Sequence, residues 1–302
     1  TLVGTGSNQS VTVYGTVQNL MGSAISLGSN SQTNDNIKVG AHGHVLASGT
    51  AIADVASDST IENHGTIRGG IDGIFILGNS TSADTFTVTN TGLIKGGNYG
   101  VIVDDSHENV VLTNSGTIKG DGAFFGYYDD GSQTIVNSGK MTGGIAFGQG
   151  NDTYNGQLGT ATGVIFGAAG NDHITGGNAV EQIEGDWGRD VLTGKGGADH
   201  FIFATAADST VAKAGRDLLT DFSHADGDQI DLHAIDANTA LANDQAFKFV
   251  GTAAFDGGAG ELRYAFANGH TFISGDLDGD KHADFEIELG THAALAKHDF
   301  IL

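Results

Sequence analysis

The chain has 302 residues, with 49 glycines and neither proline nor cysteine. Its 36 acidic and 13 basic residues give a formal net charge of −23, which disfavours binding to nucleic acid or anionic lipid and favours binding of cations. The absence of cysteine excludes disulfides and thiolate metal sites, and the absence of proline excludes a collagen-like chain. A hydrophobic content of 39% is too high for a disordered acidic tail.

The N-terminal residues predict no targeting segment. The first basic residue is Lys38, so the positively charged start of a secretory signal peptide is not expected. No apolar run approaches the ~18 residues that a membrane-spanning helix needs. This end of the chain, taken alone, is typical of a cytoplasmic protein.

The first half of the chain contains a repeat with the pattern N-x-G-x-[IM]-x-G. Its aligned glycines are 22 to 28 residues apart, and alternating apolar residues precede them, which predicts a β-solenoid over residues 1–146. Missing proline agrees with this, because each coil must donate N–H groups to its neighbours. The asparagines are expected to stack and to hydrogen-bond along a column at one turn. The four copies are Asn63–Gly69, Asn90–Gly96, Asn114–Gly120 and Asn137–Gly143.

From residue 147 the period shortens to nine residues. Segments that start at 167, 185 and 194 fit G-G-x-G-x-D-x-U-x, the RTX nonapeptide, with the second glycine replaced. The segment that starts at 176 keeps the frame but has glutamate in place of aspartate. An earlier copy containing Gly150 and Asp152 is out of frame by two residues. The candidate metal-binding residues of the in-frame copies are Gly167, Gly170, Asp172, Glu181, Gly185, Gly188, Asp190, Gly194, Gly197 and Asp199.

The nonapeptide spacing predicts calcium binding. Glycine allows the positive φ of a tight loop, and aspartate supplies a hard anionic oxygen. Because two nonapeptides make one turn, loops 18 residues apart should face each other, which pairs Asp172 with Asp190 and Glu181 with Asp199. An oxygen cage of this kind suits Ca²⁺ rather than Zn²⁺. We therefore predict a β-roll over residues 147–202 that binds several Ca²⁺ ions.

The segments Phe203–Ser209, Asp217–Phe222 and Gly227–Leu232 follow in an order that resembles the C-terminal domain of serralysin-type proteins and other RTX proteins exported by type I machinery. The resemblance covers roughly residues 147–302. It implies a calcium-loaded parallel β-roll, a β-rich cap over residues 203–302, and an uncleaved C-terminal export signal that would be recognised by the type I secretion apparatus. The tail, residues 296–302, has the acid followed by apolar residues that such signals have. Asp217 and Asp221 are predicted to bind a further ion, and the protein is expected outside the cell.

A second acidic loop contains Asp276, Asp278, Asp280 and Asp284. Alternate acids with a glycine resemble a calcium loop, but Ile287 stands where a bidentate glutamate would complete it. A calcium site and a solvated hairpin turn are both compatible with this pattern.

Two acidic pairs in the solenoid half, Asp104–Asp105 and Asp129–Asp130, begin 14 and 15 residues after their repeat asparagines. They are expected to stack on adjacent coils, as a solvated turn, a cation site or a general acid–base pair. The neighbouring residues are His107, Glu108, Tyr127 and Tyr128.

The all-β organisation leaves two functions open. Because the chain lacks H-E-x-x-H, the protease activity of serralysins is not implied. One function is structural or adhesive, as a surface-layer or biofilm-matrix protein that assembles on extracellular Ca²⁺ into a lattice or filament and contacts cell-surface polysaccharide. The other is a polysaccharide-modifying enzyme, a lyase or a uronate epimerase, that uses the β-roll as a stabiliser.

Overall fold

The computed structural model describes residues 1–4, 8–27, 34–54, 58–77, 85–104, 107, 109–126 and 129–302. The described chain is a nearly all-β parallel solenoid, which confirms the predicted fold class. It divides into two compact units, Thr1–Ile165 and Phe166–Leu302. The division of the sequence after residues 146 and 202 stays a prediction.

The first unit consists of short strands that recur about three to a coil. They are β1 (Leu2–Val3), β2 (Ser10–Val13), β3 (Thr16–Asn19), β4 (Ile25–Leu27), β5 (Asn36–Val39), β6 (His44–Ala47), β7 (Ile52–Asp54), β8 (Thr60–Asn63), β9 (Thr66–Arg68), β10 (Asp72–Leu77), β11 (Thr85–Asn90), β12 (Leu93–Lys95), β13 (Tyr99–Asp104), β14 (Asn109–Asn114), β15 (Thr117–Phe125), β16 (Gln133–Asn137), β17 (Lys140–Ala146), β18 (Thr153–Asn155) and β19 (Thr160–Thr162). The next strand, β20 (Val164–Phe166), contains the boundary.

Each strand of the first unit pairs in parallel with the equivalent strand one coil away. Strands β2, β5, β8, β11, β14, β16 and β18 form one such column. In this column Ile61, Val88, Leu112 and Ile135 stand in register and are fully buried. Apolar and polar residues alternate along these strands, so every second side chain lies in a continuous core that no coil could form alone.

The asparagine column predicted from the repeat is confirmed. Asn63, Asn90, Asn114 and Asn137 are buried, and the Nδ2 atom of each of the first three donates to the Oδ1 atom of the next at 2.7, 2.7 and 2.8 Å. The column continues to Tyr154, whose hydroxyl accepts from Asn137 Nδ2 at 3.3 Å. These amides satisfy each other where the chain turns, which is the physical role of the repeat asparagine.

The repeat glycine is required by close packing between coils. A Cβ atom at Gly65, Gly92, Gly116 or Gly139 would lie 2.2–2.3 Å from the carbonyl oxygen of the aligned glycine one coil earlier. A Cβ atom at Gly15, on the first coil, would meet nothing within 4 Å. The glycines therefore allow the backbones of successive coils to approach each other at this turn.

The second unit contains shorter strands, two short 3₁₀ helices and an antiparallel segment. Its strands are β21 (His173–Thr175), β22 (Gln182–Glu184), β23 (Val191–Thr193), β24 (His200–Ile202), β25 (Leu218–Leu219), β26 (Gln229–Asp231), β27 (Lys248–Gly251), β28 (Glu261–Ala267), β29 (His270–Asp276), β30 (Phe285–Leu289) and β31 (Phe300–Ile301), and its 3₁₀ helices are Lys213–Gly215 and Lys297–Asp299.

Two parallel strand columns form the roll of the second unit. One column is β21–β23–β25–β30 and the other is β22–β24–β26–β31. Strands β28, β29 and β30 are antiparallel, so the chain leaves the roll after β26 and returns to it with its last two strands. Phe300 of β31 stands opposite Ile230 of β26, which gives the terminal apolar residues a place in the sheet.

Candidate metal centres

Three aspartates form the first acidic column of the second unit, Asp172, Asp190 and Asp217. The main-chain N–H of Asp172 donates to Asp190 Oδ1 at 2.8 Å, and the N–H of Asp190 donates to Asp217 Oδ1 at 2.8 Å. The predicted facing of Asp172 and Asp190 is therefore confirmed, and Asp217 extends the same column from a position 27 residues further along the chain.

A second acidic column contains Glu181, Asp199 and Asp228. The N–H of Glu181 donates to Asp199 Oδ1 at 2.8 Å, as the 18-residue spacing predicts. The N–H of Asp199 donates in turn to Asp228 Oδ1 at 3.0 Å. Asp228 was not a predicted site residue. Its signal is weak in the sequence because the separation from Asp199 is 29 residues rather than 18.

The nonapeptide loops owe their shape to left-handed backbone at two motif positions. The fourth position holds glycine with φ of +140° at Gly170, +149° at Gly188 and +124° at Gly197. A Cβ atom at Gly188 would lie 1.5 Å from the carbonyl oxygen of Gly170, so only glycine fits there. The second position also has positive φ, between 64° and 73°, although it is occupied by Ala168, Asp186 and Lys195.

In each loop the carboxylate folds back over the first glycine of its own motif. A Cβ atom at Gly185 would lie 2.4 Å from Asp190 Oδ2, and one at Gly194 would lie 2.4 Å from Asp199 Oδ2. The corresponding distance is 2.5 Å at Gly167, to Asp172 Oδ2, and 2.9 Å at Gly176, to Glu181 Oε2. The glycine thus leaves room for the acid oxygen in each of the four copies.

Three of these buried carboxylates fit a bound cation. The Oδ2 atoms of Asp190, Asp199 and Asp217 are buried and have no hydrogen-bond partner among the described residues. An unpaired buried carboxylate oxygen is costly unless a cation or a proton compensates it. The donors are oxygens, so the residues fit a hard ion such as Ca²⁺, and they would hold it through carboxylates whose other oxygen is fixed by the backbone.

The pKa values reflect this buried negative charge. Burial, together with the charges of Asp186 and Asp208, raises the pKa of Asp190 to about 7. Burial, with the charges of Glu181 and Asp228, raises the pKa of Asp199 to about 7. Burial, with the charge of Asp190, raises the pKa of Asp217 to about 9. In the absence of a cation, these groups stay protonated at pH values well above the usual pKa range of a carboxyl group.

A further acidic group beside the first column was not predicted. Burial and the charges of Asp186, Asp208 and Asp231 raise the pKa of Glu184 to about 7, and burial with the charge of Asp208 raises the pKa of Asp186 to about 6. Asp208 itself is buried and accepts from the N–H groups of Ala204 and Thr205. Asp186 replaces the second glycine of its nonapeptide, and this replacement is the sequence feature that could have predicted the group.

The other predicted RTX residues lie outside the two acidic columns. Asp221 is half-buried, and its two carboxylate oxygens accept from the N–H groups of Gly194 and Lys195, each at 3.0 Å, so it holds a nonapeptide loop. Asp152 and Gly150 belong to the first unit. Asp152 Oδ1 accepts from the N–H of Gln133 at 2.7 Å, and burial raises its pKa to about 7.

The second acidic loop connects the antiparallel strands β29 and β30. Oxygen atoms of Asp276, Asp278 and Asp284 lie within 4.8 Å of one another, whereas Asp280 is not part of this group. Asp276 is buried and accepts from the N–H groups of Gly279 at 2.7 Å and Lys281 at 3.0 Å. A hairpin turn is therefore present, and calcium binding in it stays a prediction.

The acidic pairs of the solenoid half are described only in part, because Asp105, Glu108, Tyr127 and Tyr128 lie outside the described residues. Asp104 ends β13 and is half-buried. Asp129 is buried and accepts from Gln133 Nε2 at 2.9 Å, while the exposed Asp130 forms an ion pair with His107. The two carboxylates of the second pair thus have different surroundings, and the role of both pairs stays a prediction.

Three cations stand in one row on the surface of the first unit. Lys95 is in register with Arg68 on one side and with Lys119 on the other, on strands β9, β12 and β15. None of the three forms an ion pair with a residue in the described part of the chain. Arg68 and Lys95 line a cleft of about 410 Å³ together with Gln18 and Leu46. The sequence feature that could have predicted this row is the sixth position of the aligned repeat, which all three basic residues occupy.

The chain was compared with known proteins. A family profile described as Peptidase M10 serralysin C terminal matches residues 51–302. Among solved structures, the AlgE6R2 subunit of the Azotobacter vinelandii mannuronan C5-epimerase is 25% identical, with a TM-score of 0.37, and the match covers 55% of this chain and 94% of that one. The AlgE6R3 subunit of the same enzyme is also 25% identical, with a TM-score of 0.31, over 56% of this chain and 77% of that one. A search of curated proteins found no match.

Proposed function

The chain belongs to the serralysin C-terminal family, and from this premise we propose that it is a calcium-binding protein whose second unit folds when the ion binds. The observation that carries the proposal is that the Oδ2 atoms of Asp190, Asp199 and Asp217 are buried and find no hydrogen-bond partner in the described part of the chain. Without calcium, these carboxylates repel one another or must take up protons. With calcium, the binding free energy contributes directly to folding.

Circular dichroism of the full chain in excess chelator and in millimolar CaCl₂ tests this proposal. We expect the β signal and the melting temperature to rise on addition of calcium. Asp190→Asn and Asp199→Asn should weaken the response, whereas Asp244→Asn, which changes an exposed acid, should not. Identical spectra and melting temperatures with and without calcium would overturn the proposal.

We further propose that the protein acts outside the cell, after export through a type I secretion apparatus. The family is one of extracellular proteins. Among the described residues, no helix is long and apolar enough to cross a membrane. Calcium-dependent folding supports the proposal physically, because the acidic roll would stay open at low calcium inside the cell and close at millimolar calcium outside. Removal of residues 296–302 should abolish export of the protein from a cell that carries the type I secretion apparatus.

The structural or adhesive role is the function that we favour, with an acidic polysaccharide as the partner. Residues 1–146 contain five cations, and Arg68, Lys95 and Lys119 stand together in one row. Successive coils of a parallel sheet are about 4.8 Å apart. The row therefore presents one positive charge about every 4.8 Å, which is close to the length of one sugar unit in an extended chain of uronates. This regular spacing supports binding of a linear polyanion along the solenoid axis.

Affinity electrophoresis through gels that contain alginate or polygalacturonate tests the row. Arg68→Gln, Lys95→Gln and Lys119→Gln combined should abolish the retardation of the wild-type protein, and added salt should weaken it. A triple variant with the same change of charge elsewhere, Lys140→Gln, Lys213→Gln and Lys297→Gln, is the control. Neutral dextran should retard none of them. Equal retardation of the two variants would exclude the row as the binding site.

Two experiments on the same calcium-loaded protein distinguish a structural role from an enzymatic one. Electron microscopy of calcium-loaded protein should reveal a lattice or filament if the role is structural, and a strictly monomeric sample would contradict assembly. Incubation with acidic polysaccharide should leave the polymer unchanged. Formation of unsaturated uronate, or an altered epimer ratio by NMR, would favour the lyase or epimerase alternative instead.

A further inference from the structure

Two histidines that the sequence separates by 74 residues meet in the second unit. His224 lies in the loop between β25 and β26, and His298 lies in the 3₁₀ helix that precedes β31. The pairing of β26 with β31 brings these two segments together, with Ile230 opposite Phe300. The imidazole rings are both exposed, and their centroids are 4.4 Å apart.

The ring nitrogens of this pair converge. The Nε2 atoms of His224 and His298 are 3.1 Å apart. On its other side, His224 Nδ1 is 2.5 Å from Oδ1 of Asp299, which is 1% exposed. The second oxygen of Asp299 accepts from the N–H of Ala296 at 2.7 Å, so the carboxylate is held in place. Asp299 Oδ1 is 3.9 Å from His298 Nε2.

This arrangement has the form of a metal-binding pair with an orienting carboxylate. An imidazole that donates Nδ1–H to a carboxylate has its Nε2 lone pair free for a metal, and such carboxylates fix the ring and its tautomer. Two nitrogens that bind one tetrahedral ion at about 2.05 Å are about 3.3 Å apart. The observed Nε2–Nε2 separation of 3.1 Å needs little adjustment to reach that value. Solvent can supply the remaining ligands because both rings are exposed.

We propose that His224 and His298 bind a divalent transition-metal ion of the zinc class through their Nε2 atoms, with Asp299 orienting His224. Nitrogen donors distinguish this site from the acidic columns, whose donors are oxygens and suit Ca²⁺. Zn²⁺, Ni²⁺ and Cu²⁺ all accept imidazole ligands. The proposal does not depend on calcium binding by the acidic columns.

The site also has a structural consequence. His224 follows Ser223, whose N–H donates to Asp228 Oδ2 at 2.8 Å, and Asp228 belongs to the second acidic column. His298 directly precedes Asp299 and the last strand, and its carbonyl oxygen accepts from Gln229 Nε2 at 3.1 Å. A metal ion between the rings would therefore tie the C-terminal strand to the loop that ends this column. Binding should reduce fraying of the last strand.

Isothermal titration of the full chain with ZnCl₂, in millimolar CaCl₂ so that the oxygen sites are saturated, tests the proposal. We expect one zinc ion per chain, and a loss of about tenfold or more in affinity for His224→Ala and for His298→Ala. Asp299→Asn should weaken zinc binding about 10–100-fold, as outer carboxylates commonly do. His282→Ala is the matched control, because His282 is an exposed histidine beside the other acidic loop.

Two spectroscopic measurements complete the test and do not depend on a folded variant. Electron paramagnetic resonance of the Cu²⁺-loaded wild type should reveal two equivalent nitrogen ligands. Hydrogen exchange of the amides of residues 297–302 should slow when zinc is added. Unchanged zinc affinity in both His224→Ala and His298→Ala, or loss of the site in His282→Ala instead, would overturn the proposal.

Discussion

The N–H of Asp190 donates to Oδ1 of Asp217 at 2.8 Å, although these residues are 27 positions apart. Asp172 makes the same contact with Asp190 over 18 residues. Strand β25 therefore occupies the place of the next turn of the roll, and the longer connection before it leaves the column of carboxylates intact. The column ends on Asp217, and burial raises the pKa of this residue to about 9.

The calcium-free protein should lose stability as pH rises. In the unfolded chain these carboxyl groups titrate near 3.9, whereas in the folded chain Asp190 and Asp199 titrate at about 7 and Asp217 at about 9. Between these values the folded state binds more protons, so the contribution to the free energy of unfolding is complete below about pH 4 and is lost as pH rises through about 7 to 9. Urea unfolding in chelator at about pH 5 and about pH 8 measures this difference.

Calcium should reverse that trend, because it binds the deprotonated carboxylates and replaces the protons. In millimolar CaCl₂ the free energy of unfolding should be higher at about pH 8 than at about pH 5. A calcium-free protein that is more stable at the higher pH would contradict the raised pKa values.

Asp217→Asn should separate folding from calcium binding. The amide keeps an oxygen that can accept from the N–H of Asp190 and resembles the protonated carboxyl, so the calcium-free stability near neutral pH should change little. The stabilisation by calcium should fall, because one anionic oxygen is lost. Melting temperatures with and without calcium measure both effects, with Asp244→Asn as the control. An unchanged calcium response would exclude Asp217 from the site.

Gly116→Ala should destabilise the first unit strongly. Its Cβ atom would lie 2.2 Å from the carbonyl oxygen of Gly92, and neither backbone can move without breaking the ladder. We expect a loss of more than about 2 kcal/mol in the free energy of unfolding. Gly15→Ala is the control at the aligned position, because its Cβ atom would meet nothing within 4 Å. Backbone entropy favours alanine at both positions, so equal losses in the two variants would mean that the contact between coils does not explain the glycine.

Lys195→Gly should stabilise the second unit. Lys195 has a φ of 73°, and the left-handed conformation costs a residue with a side chain roughly 1 kcal/mol relative to glycine. Chemical denaturation of calcium-loaded protein should reveal a gain of this order. Lys195→Ala removes the same charge and keeps the strain, so it should leave the stability nearly unchanged. A gain of similar size in the alanine variant would assign the effect to charge.

Local, periodic features were readable from the sequence. The spacing of Asn90 and Asn114 predicted a solenoid with an asparagine column, and the 18-residue spacing of Asp172 and Asp190 predicted their pairing. Such features can be read because a residue in a stacked coil has the same neighbours one period away. The acidic group beside the first column was not predicted, since its members Asp186 and Asp208 belong to no common period.

The sequence by itself determined that this protein is an acidic, all-β, glycine-punctuated solenoid with nonapeptide loops suited to calcium. Only the tertiary structure decided that Asp217 and Asp228 continue the two acidic columns, and that His224 meets His298 beside Asp299. The physical reason for the columns is that connections of 27 and 29 residues interrupt the nine-residue period. The histidines meet because β31 returns to the roll after an antiparallel excursion. The length of that excursion follows no repeat, so no spacing in the sequence encodes where the chain comes back.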